Sequence, residues 1–308
     1  MLQHRSLAGR ALPGAQQRPC VASARRVIVR AKEPIVAATT LLEKEQEAAP
    51  SAAPGRGAAG APSTSGSKWV IDESELLTST AEHRAWTFGP MALMGAALAV
   101  AGSHVDGPGG ALSAASAVLA AYVLSDLGTG VYHWSVDNYG DGSTPVFGRQ
   151  IAAFQGHHVR PWTITQREFC NNVHQVFKPA AYPAGGMLLL SPVLGVWPGF
   201  FLPSFLFLVC MSQQFHAWSH MKKSELPAAV VALQDAGVLI GRAAHGAHHR
   251  PNFEGNYCIV SGWWNQALDD SGFFRWLEKV VVATTGVEPR CWYPPEHGWI
   301  EEVRPQAK

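Results

Sequence analysis

Histidine is the residue whose type and spacing in this chain point most directly to chemistry. The sequence holds 13 of them in 308 residues, and nine fall between positions 133 and 249. Eight of those nine make four groups. His133 stands alone. His157 and His158 are adjacent in Gln155-Gly-His-His-Val-Arg-Pro161. His216 and His220 form H-x-x-x-H. His245, His248 and His249 form H-x-x-H-H. On a helix, positions i and i+3 or i+4 share a face. H-x-x-x-H therefore aims two imidazoles at one point, and H-x-x-H-H sets a third nearby. Imidazole nitrogen suits iron, zinc, copper and nickel. Eight donors exceed the four of a tetrahedral zinc and suit two octahedral metals that keep positions open for oxygen. No H-E-x-x-H is present, which disfavours a zinc metalloprotease.

Other residues fall near these groups. His174, in Asn171-Asn-Val-His174, is a ninth candidate, either as a ligand, as a neighbour of the ligands or as a packed interface histidine. Asp126 lies seven residues before His133 and Asp137 four after it, so both can share its helix face. A carboxylate beside a metal-bound histidine orients the ring or offsets cation charge. Glu168 and Glu254 are weaker candidates. His104 and His297 read as loop residues.

These groups need a scaffold, and the composition says of what kind. Charged residues make up 15% of the chain, against about 25% in an ordinary soluble domain. Hydrophobic residues reach 47%. Phe88 to Val105 carries no charge, and neither does Ala111 to Ser125 after the Gly/Pro turn at 106–110. Pro179 to Met221 is a 43-residue run without Asp, Glu, Lys or Arg, twice the ~20 residues that cross ~30 Å of hydrocarbon. Pro192, Gly195, Pro198 and Gly199 interrupt it. The pattern predicts an all-α integral membrane protein with about four spans in two hairpins, at about 86–105, 111–134, 180–196 and 199–219.

Two hairpins return the chain twice to the side on which it started. Residues 133–178 and 220–308, and with them all eight histidines, then lie on one membrane face as a dimetal cap over the helix ends. That face holds Arg149, Arg160, Arg167, Lys178, Lys222, Lys223 and Arg242, whereas the connections at 106–110 and 197–199 have no Lys or Arg. The bias agrees with the positive-inside rule.

Residues 1–32 carry six Arg, one Lys and no acid, leaving a net charge of −6 on residues 33–308. No basic stripe remains for a nucleic acid. The leader, 1–31, has the Arg-, Ser- and Ala-rich composition of an organelle transit peptide and lacks a secretory apolar core. Its Val27-Ile-Val-Arg-Ala31 looks like a plastid processing site. Residues 32–67, ending in an Ala/Pro/Gly/Ser-rich tract, read as a linker. The membrane domain is then 68–308, with its metal face stromal in a thylakoid or inner envelope membrane. The five Cys form no C-x-x-C, and Cys20 lies in the leader.

Three stretches resemble the lipid desaturase family of plasmanylethanolamine desaturase. They are Asp126-Leu-Gly-Thr-Gly-Val-Tyr-His-Trp134, Gly156-His-His-Val-Arg-Pro161 and His245-Gly-Ala-His-His-Arg-Pro-Asn-Phe253. The resemblance covers about 85–285. It implies metal ligation by His133, His157, His158, His216, His220, His245, His248 and His249. It also implies two ferrous ions, O2 as co-substrate and an acyl-lipid desaturase reaction. With a plastid leader it implies a trans-Δ3 double bond in palmitate at sn-2 of phosphatidylglycerol, and electrons from ferredoxin. The larger acyl desaturase group carries a second H-x-x-H-H, where this chain has Gln155-Gly-His-His. Ligand roles therefore do not transfer from that group.

In that reading the head-group phosphate meets Arg149, Arg160, Arg167 or Arg250, with Arg160 and Arg250, each before a Pro and close behind a His pair, the first choices. Trp263, Trp264, Trp276, Trp292, Tyr293 and Trp299 suit a membrane interface. Residues 224–241 read as one amphipathic or partly buried helix. A diiron lipid hydroxylase uses the same ligands. A histidine-rich metal or haem carrier is the non-enzymatic alternative.

Overall fold

A computed structural model describes residues 69–72, 76–295 and 300–303. All belong to one compact unit, Ala58–Lys308. The leader and linker expected over 1–67, and His297 and Trp299, lie outside the described residues.

Helices carry the fold. Helix α1 is Ala81–Ser103, α2 Gly107–Asn138, α3 Gly148–Val159, α4 Phe169–Leu190 and α5 Val196–His220. Shorter helices follow: α6 Ala228–Asp235, α7 Arg242–His248, α8 Asn265–Asp270 and α9 Phe273–Thr285. One short parallel pair, β1 (Trp69–Asp72) with β2 (Ile300–Val303), joins the two ends of the unit.

Among the described residues, three helices are long and apolar enough to cross a membrane: α1, α2 and α5. Each begins on a local signal. Thr80 caps α1, its hydroxyl accepting from His83 N–H while His83 Nδ1 accepts from Thr80 N–H. Gly107 takes φ +60° ahead of Pro108 in the first turn of α2. Pro198 and Gly199, expected to break the long apolar run, sit instead in the first turn of α5. There a missing N–H breaks no helical hydrogen bond.

The third expected span, 180–196, corresponds to a different helix. Helix α4 starts eleven residues earlier and stops at Leu190, before a turn at Ser191–Gly195. Its first half carries Asn171, Asn172, His174, Gln175 and Lys178, so its apolar run is confined to the second half. Residues 224–241 also divide. A 3₁₀ turn at Lys223–Glu225 precedes the eight-residue α6, which ends before Gly237 at φ +69°.

Packing sets the helix ends where the site needs them. Helix α1 runs along α4, and α2 runs along α5. Met94, Val173, Phe177, Ala180, Ala184, Cys210, Met211 and Phe215 fill the core between α1, α4 and α5. Small side chains bring backbones close. A Cβ on Gly199 would lie 2.8 Å from that of Ala101. Helix α2 has 32 residues, about 48 Å, and so outruns a ~30 Å hydrocarbon layer. Its excess turns bear the buried polar residues Asp126, Thr129, His133, Asp137 and Asn138.

Candidate metal centre

Four helix ends deliver the donors. Helix α2 supplies His133 and Asp137, one turn apart. Helix α3 ends on His157-His158, and α5 ends on His216 and His220. Helix α7 brings His245 and His248, with His249 at its C-cap. Helical periodicity then sorts them. His157, His216, His220, His245 and His249 converge as one set, and His133, Asp137, His158 and His248 as a second. Within each set the donor atoms lie within 4.8 Å of one another, and either set could hold a metal ion. Adjacent helical residues point about 100° apart, so His157 and His158 serve different sets. H-x-x-H-H divides in the same way: His245 and His249, at i and i+4, go to the first set and His248 to the second.

The separations are those of a coordination shell. In the first set, Nε2 of His220 lies 2.9 Å from Nε2 of His157 and 2.9 Å from Nε2 of His245. His245 and His249 are 3.1 Å apart. In the second set, His158 and His248 are 3.1 Å apart at Nε2. Asp137 Oδ2 is 3.2 Å from His133 Nε2, 3.3 Å from His248 Nε2 and 3.6 Å from His158 Nε2. An octahedron with metal–nitrogen bonds of about 2.1 Å has an edge of about 3.0 Å.

Protonation makes the case for a cation. His133 Nδ1 lies 3.0 Å from the Tyr257 carbonyl, and His248 Nδ1 lies 2.9 Å from the Gly255 carbonyl. A carbonyl only accepts, so each Nδ1 carries a proton, and His133 Nε2, buried without a partner among the described residues, turns a lone pair on the Asp137 carboxylate. Both Asp137 oxygens, His133 Nε2 and both ring nitrogens of His216 are buried without a hydrogen-bond partner among the described residues. Lone pair against lone pair in a buried site is repulsive, and unpaired buried polar atoms are costly. A metal ion in each set would satisfy His133 Nε2, the Asp137 carboxylate and one ring nitrogen of His216. Burial, followed by the neighbouring imidazoles, pushes His157, His158 and His245 well below the usual histidine range and His249 down to about 3. The rings are therefore neutral, the form that binds metal.

A strap from Gly255 to Trp264 holds the second set from behind. Asp126, fully buried on α2, fastens this strap. Its Oδ1 accepts from the N–H groups of Val260, Ser261 and Gly262 at 2.8–3.0 Å, and its Oδ2 from Trp264 at 3.4 Å. Gly130 lets the strap approach, since a Cβ there would lie 2.3 Å from Cys258 Sγ. Asp126 thus stands outside both donor sets and positions them through the strap. His174 is also elsewhere: its ring stacks on His83 at 3.9 Å, and its Nδ1 lies 2.9 Å from the Asn171 carbonyl. Glu168 meets Arg84 and Glu254 meets Arg275, both away from the donors.

Arg160 is the half-buried C-cap of α3, directly after the His157-His158 turn, and Arg250 is exposed one residue past His249. Arg149 is exposed on α3, and Arg167 donates to Asn171 Oδ1 at 2.9 Å. Trp263 and Trp276 are exposed, whereas the Trp264 indole is tied to the Val123 carbonyl.

Sequence spacing did not reveal the carbonyls of Gly255 and Tyr257, because backbone acceptors have no residue signature. It also gave no hint of Phe253, stacked on His158 at 4.2 Å. The available signal was local. Pro251-Asn-Phe-Glu-Gly-Asn256 is a turn-rich run, and Asn252, Phe253, Gly255 and Asn256 all take positive φ.

Comparison with known proteins places this geometry in a family. A lipid desaturase domain matches residues 122–292, a stretch that contains both donor sets. Fatty acid desaturase 4, chloroplastic, from Arabidopsis thaliana is 52% identical over 62% of this chain and 59% of its own length. Fatty acid desaturase 4-like 1, chloroplastic, of the same plant is 43% identical over 74% of this chain and 76% of its own. Plasmanylethanolamine desaturase from Myxococcus xanthus is 34% identical over 57% of this chain and 63% of its own. The chain thus spans about three fifths of the first of these relatives. No solved structure matches significantly. With a family domain over more than half its residues, and the donor histidines all inside it, the chain belongs to the lipid desaturase family.

Proposed function

We propose that this protein is a membrane diiron acyl-lipid desaturase. Its reaction would be O2-dependent formation of a trans-Δ3 double bond in palmitate at sn-2 of phosphatidylglycerol. The observation that carries the reading is the pair of buried donor sets, with the unpartnered His133 Nε2 turned on the Asp137 carboxylate. The names of the plant relatives support the acyl substrate and the chloroplast. A transit peptide over 1–31 and a linker over 32–67 accord with them.

The five-histidine set and the His133/Asp137/His158/His248 set would each hold one iron. When bound, such a pair supplies the reduction of O2 and the removal of hydrogen from an unactivated C–H bond. The chain does the rest. The Gly255 and Tyr257 carbonyls hold two imidazoles in the tautomer that presents Nε2. Asp137 contributes the one negative charge among nine donor groups. Phe154 and Phe253 pack against the rings and keep water off them. The donors sit at helix ends, so an acyl chain reaching them from the bilayer presents its carboxyl end. That suits abstraction close to the ester. Arg160 and Arg250 would meet the phosphate. Helix α4 would complete a four-span bundle, its exposed Tyr182, Leu189 and Leu190 facing lipid. The metal face would be stromal, in reach of ferredoxin.

Lipid analysis tests the reading. Residues 32–308 are expressed in a host with a plastid-type ferredoxin supply, beside a His249→Ala control. A new 16:1 chain in phosphatidylglycerol, absent from the control, is the expected result. A hydroxylated chain would keep the metal site and overturn the outcome of the reaction. An unchanged lipid profile would overturn the substrate.

A further inference from the structure

The mechanism leaves unused a cluster of oxidisable side chains behind the second donor set. Tyr257 packs its ring 5.1 Å from that of His248 and 5.7 Å from that of His133. Phe274 follows at 5.0 Å from Tyr257, and Trp134 stacks on Phe274 at 5.6 Å. At the end of this row lies Glu278 on α9, a carboxylate only 2% exposed. The Trp134 indole nitrogen is 3.5 Å from its Oε1, and the Trp292 indole donates to its Oε2 at 2.6 Å. Trp134 is 4% exposed and Trp292 39%. One buried carboxylate therefore touches an inner indole, in sequence next to His133, and an outer one that solvent reaches. Cys291 Sγ is 3.4 Å from the same carboxylate, and Tyr139, its hydroxyl buried without a partner among the described residues, packs on Trp134 at 5.3 Å. A cavity of about 320 Å³, lined by Tyr257, Phe274, Arg275 and Glu278 among others, adjoins the carboxyl.

Glu278 is also paired with Arg275, whose Nη1 lies 3.0 Å from its Oε2. An ion pair with a buried partner still gives a core no advantage over apolar packing. A carboxylate bonded to both indole N–H groups has one chemical consequence: it accepts the proton that an indole releases when it loses an electron. Indoles lose electrons only to strong oxidants. The row is therefore unsuited to routine delivery of low-potential electrons. It suits the discharge of oxidising equivalents left at the metal pair when O2 has reacted and no C–H bond is in reach.

We propose that Trp134, Glu278 and Trp292 form a protective relay that carries such equivalents from the metal centre to the surface. This rests on the diiron reading above. Trp134 gives one electron inward, across Tyr257 and Phe274, and its Nε1 proton passes to Glu278. Trp292 then reduces Trp134, which recovers a proton from Glu278, while the Nε1 proton of Trp292 takes its place there. An external thiol donates a hydrogen atom to Trp292 and becomes a thiyl radical. Glu278 releases its proton through the adjoining cavity. The net change per event is one electron to the centre, one proton to water and one thiol oxidised, and two events discharge a two-electron oxidant.

The test uses the iron-loaded full chain in lipid nanodiscs without phosphatidylglycerol, with reductant and O2, and with ring-deuterated tryptophan in parallel. Freeze-quench electron paramagnetic resonance is the readout, beside oxidised tryptophan by mass spectrometry. The relay predicts a radical whose spectrum narrows on tryptophan deuteration. Trp292→Phe lengthens its lifetime and speeds inactivation several-fold, and the initial rate with lipid is unchanged. Glu278→Gln, which keeps an acceptor but cannot take the proton, lowers the radical yield at equal iron content. O2 consumption with no tryptophan radical and equal inactivation in all variants would overturn the relay alone. Failure of the iron-loaded chain to consume O2 would overturn the diiron reading, and the relay with it.

Discussion

Asp137 Oδ2 lies 3.2 Å from His133 Nε2, one helical turn back on α2, with no hydrogen between them. The His133 proton is on the other nitrogen, held by the Tyr257 carbonyl. A cation between these two acceptors would relieve their repulsion in a dry site. Asp137→Asn keeps the shape and removes the charge. It should lower metal affinity of the second set by at least about 10-fold and leave one metal per chain in the five-histidine set. Elemental analysis of the purified variant checks this.

His157 and His158 are neighbours in sequence and belong to different donor sets. Double variants separate them. His158→Ala with Asp137→Asn removes two donors from one set, so the pair should lose no more metal than either single change. His157→Ala with Asp137→Asn strikes both sets and should leave almost none. Sites that share a partner are non-additive, whereas independent sites add. Metal titration of the two double variants beside the three single variants measures it.

Acid should empty the centre. Histidine in an unfolded chain titrates near 6.5. In the fold His157, His158 and His245 lie well below that and His249 at about 3. Below about pH 6.5 the unfolded chain therefore binds more protons, and stability is lost as pH falls toward the folded values. Protons also compete with metal for the same lone pairs. The melting midpoint should fall from pH 7 to pH 5 in metal-free protein, and metal retention should fall over the same range. Thermal shift with and without chelator tests both.

Asp126 predicts a different phenotype. It accepts from four backbone N–H groups of the strap and touches no donor. Asp126→Ala leaves those groups unpaired and should cost about 2–3 kcal/mol of stability. Metal binding at low temperature should survive, with a lowered melting midpoint. Equal metal loss at all temperatures would make Asp126 a ligand.

The eight histidines were legible because helical spacing is the geometry that converges them. Helices α1, α2 and α5 were legible as candidate spans because each holds a long uncharged run. The third was displaced because α4 begins in polar residues that pack against α1 and α5, and an absence of charge does not mark where a helix starts. Pro198 was misleading as a breaker, since proline is equally at home in a first turn. Asp126 and Asp137 look alike in sequence, each a helical step from His133. Only the strap, folded back from 255–264, decides that one holds backbone and the other faces the donors. Glu278 was invisible for the same reason: its burial depends on Trp134 and Trp292, 144 and 14 residues away.

Iron content with Mössbauer spectroscopy of the purified, iron-loaded full chain tests the central claim most directly. Two irons per chain, in two distinguishable nitrogen-rich sites, is the predicted result. A chain that binds no iron, or a single tetrahedral zinc, would contradict it.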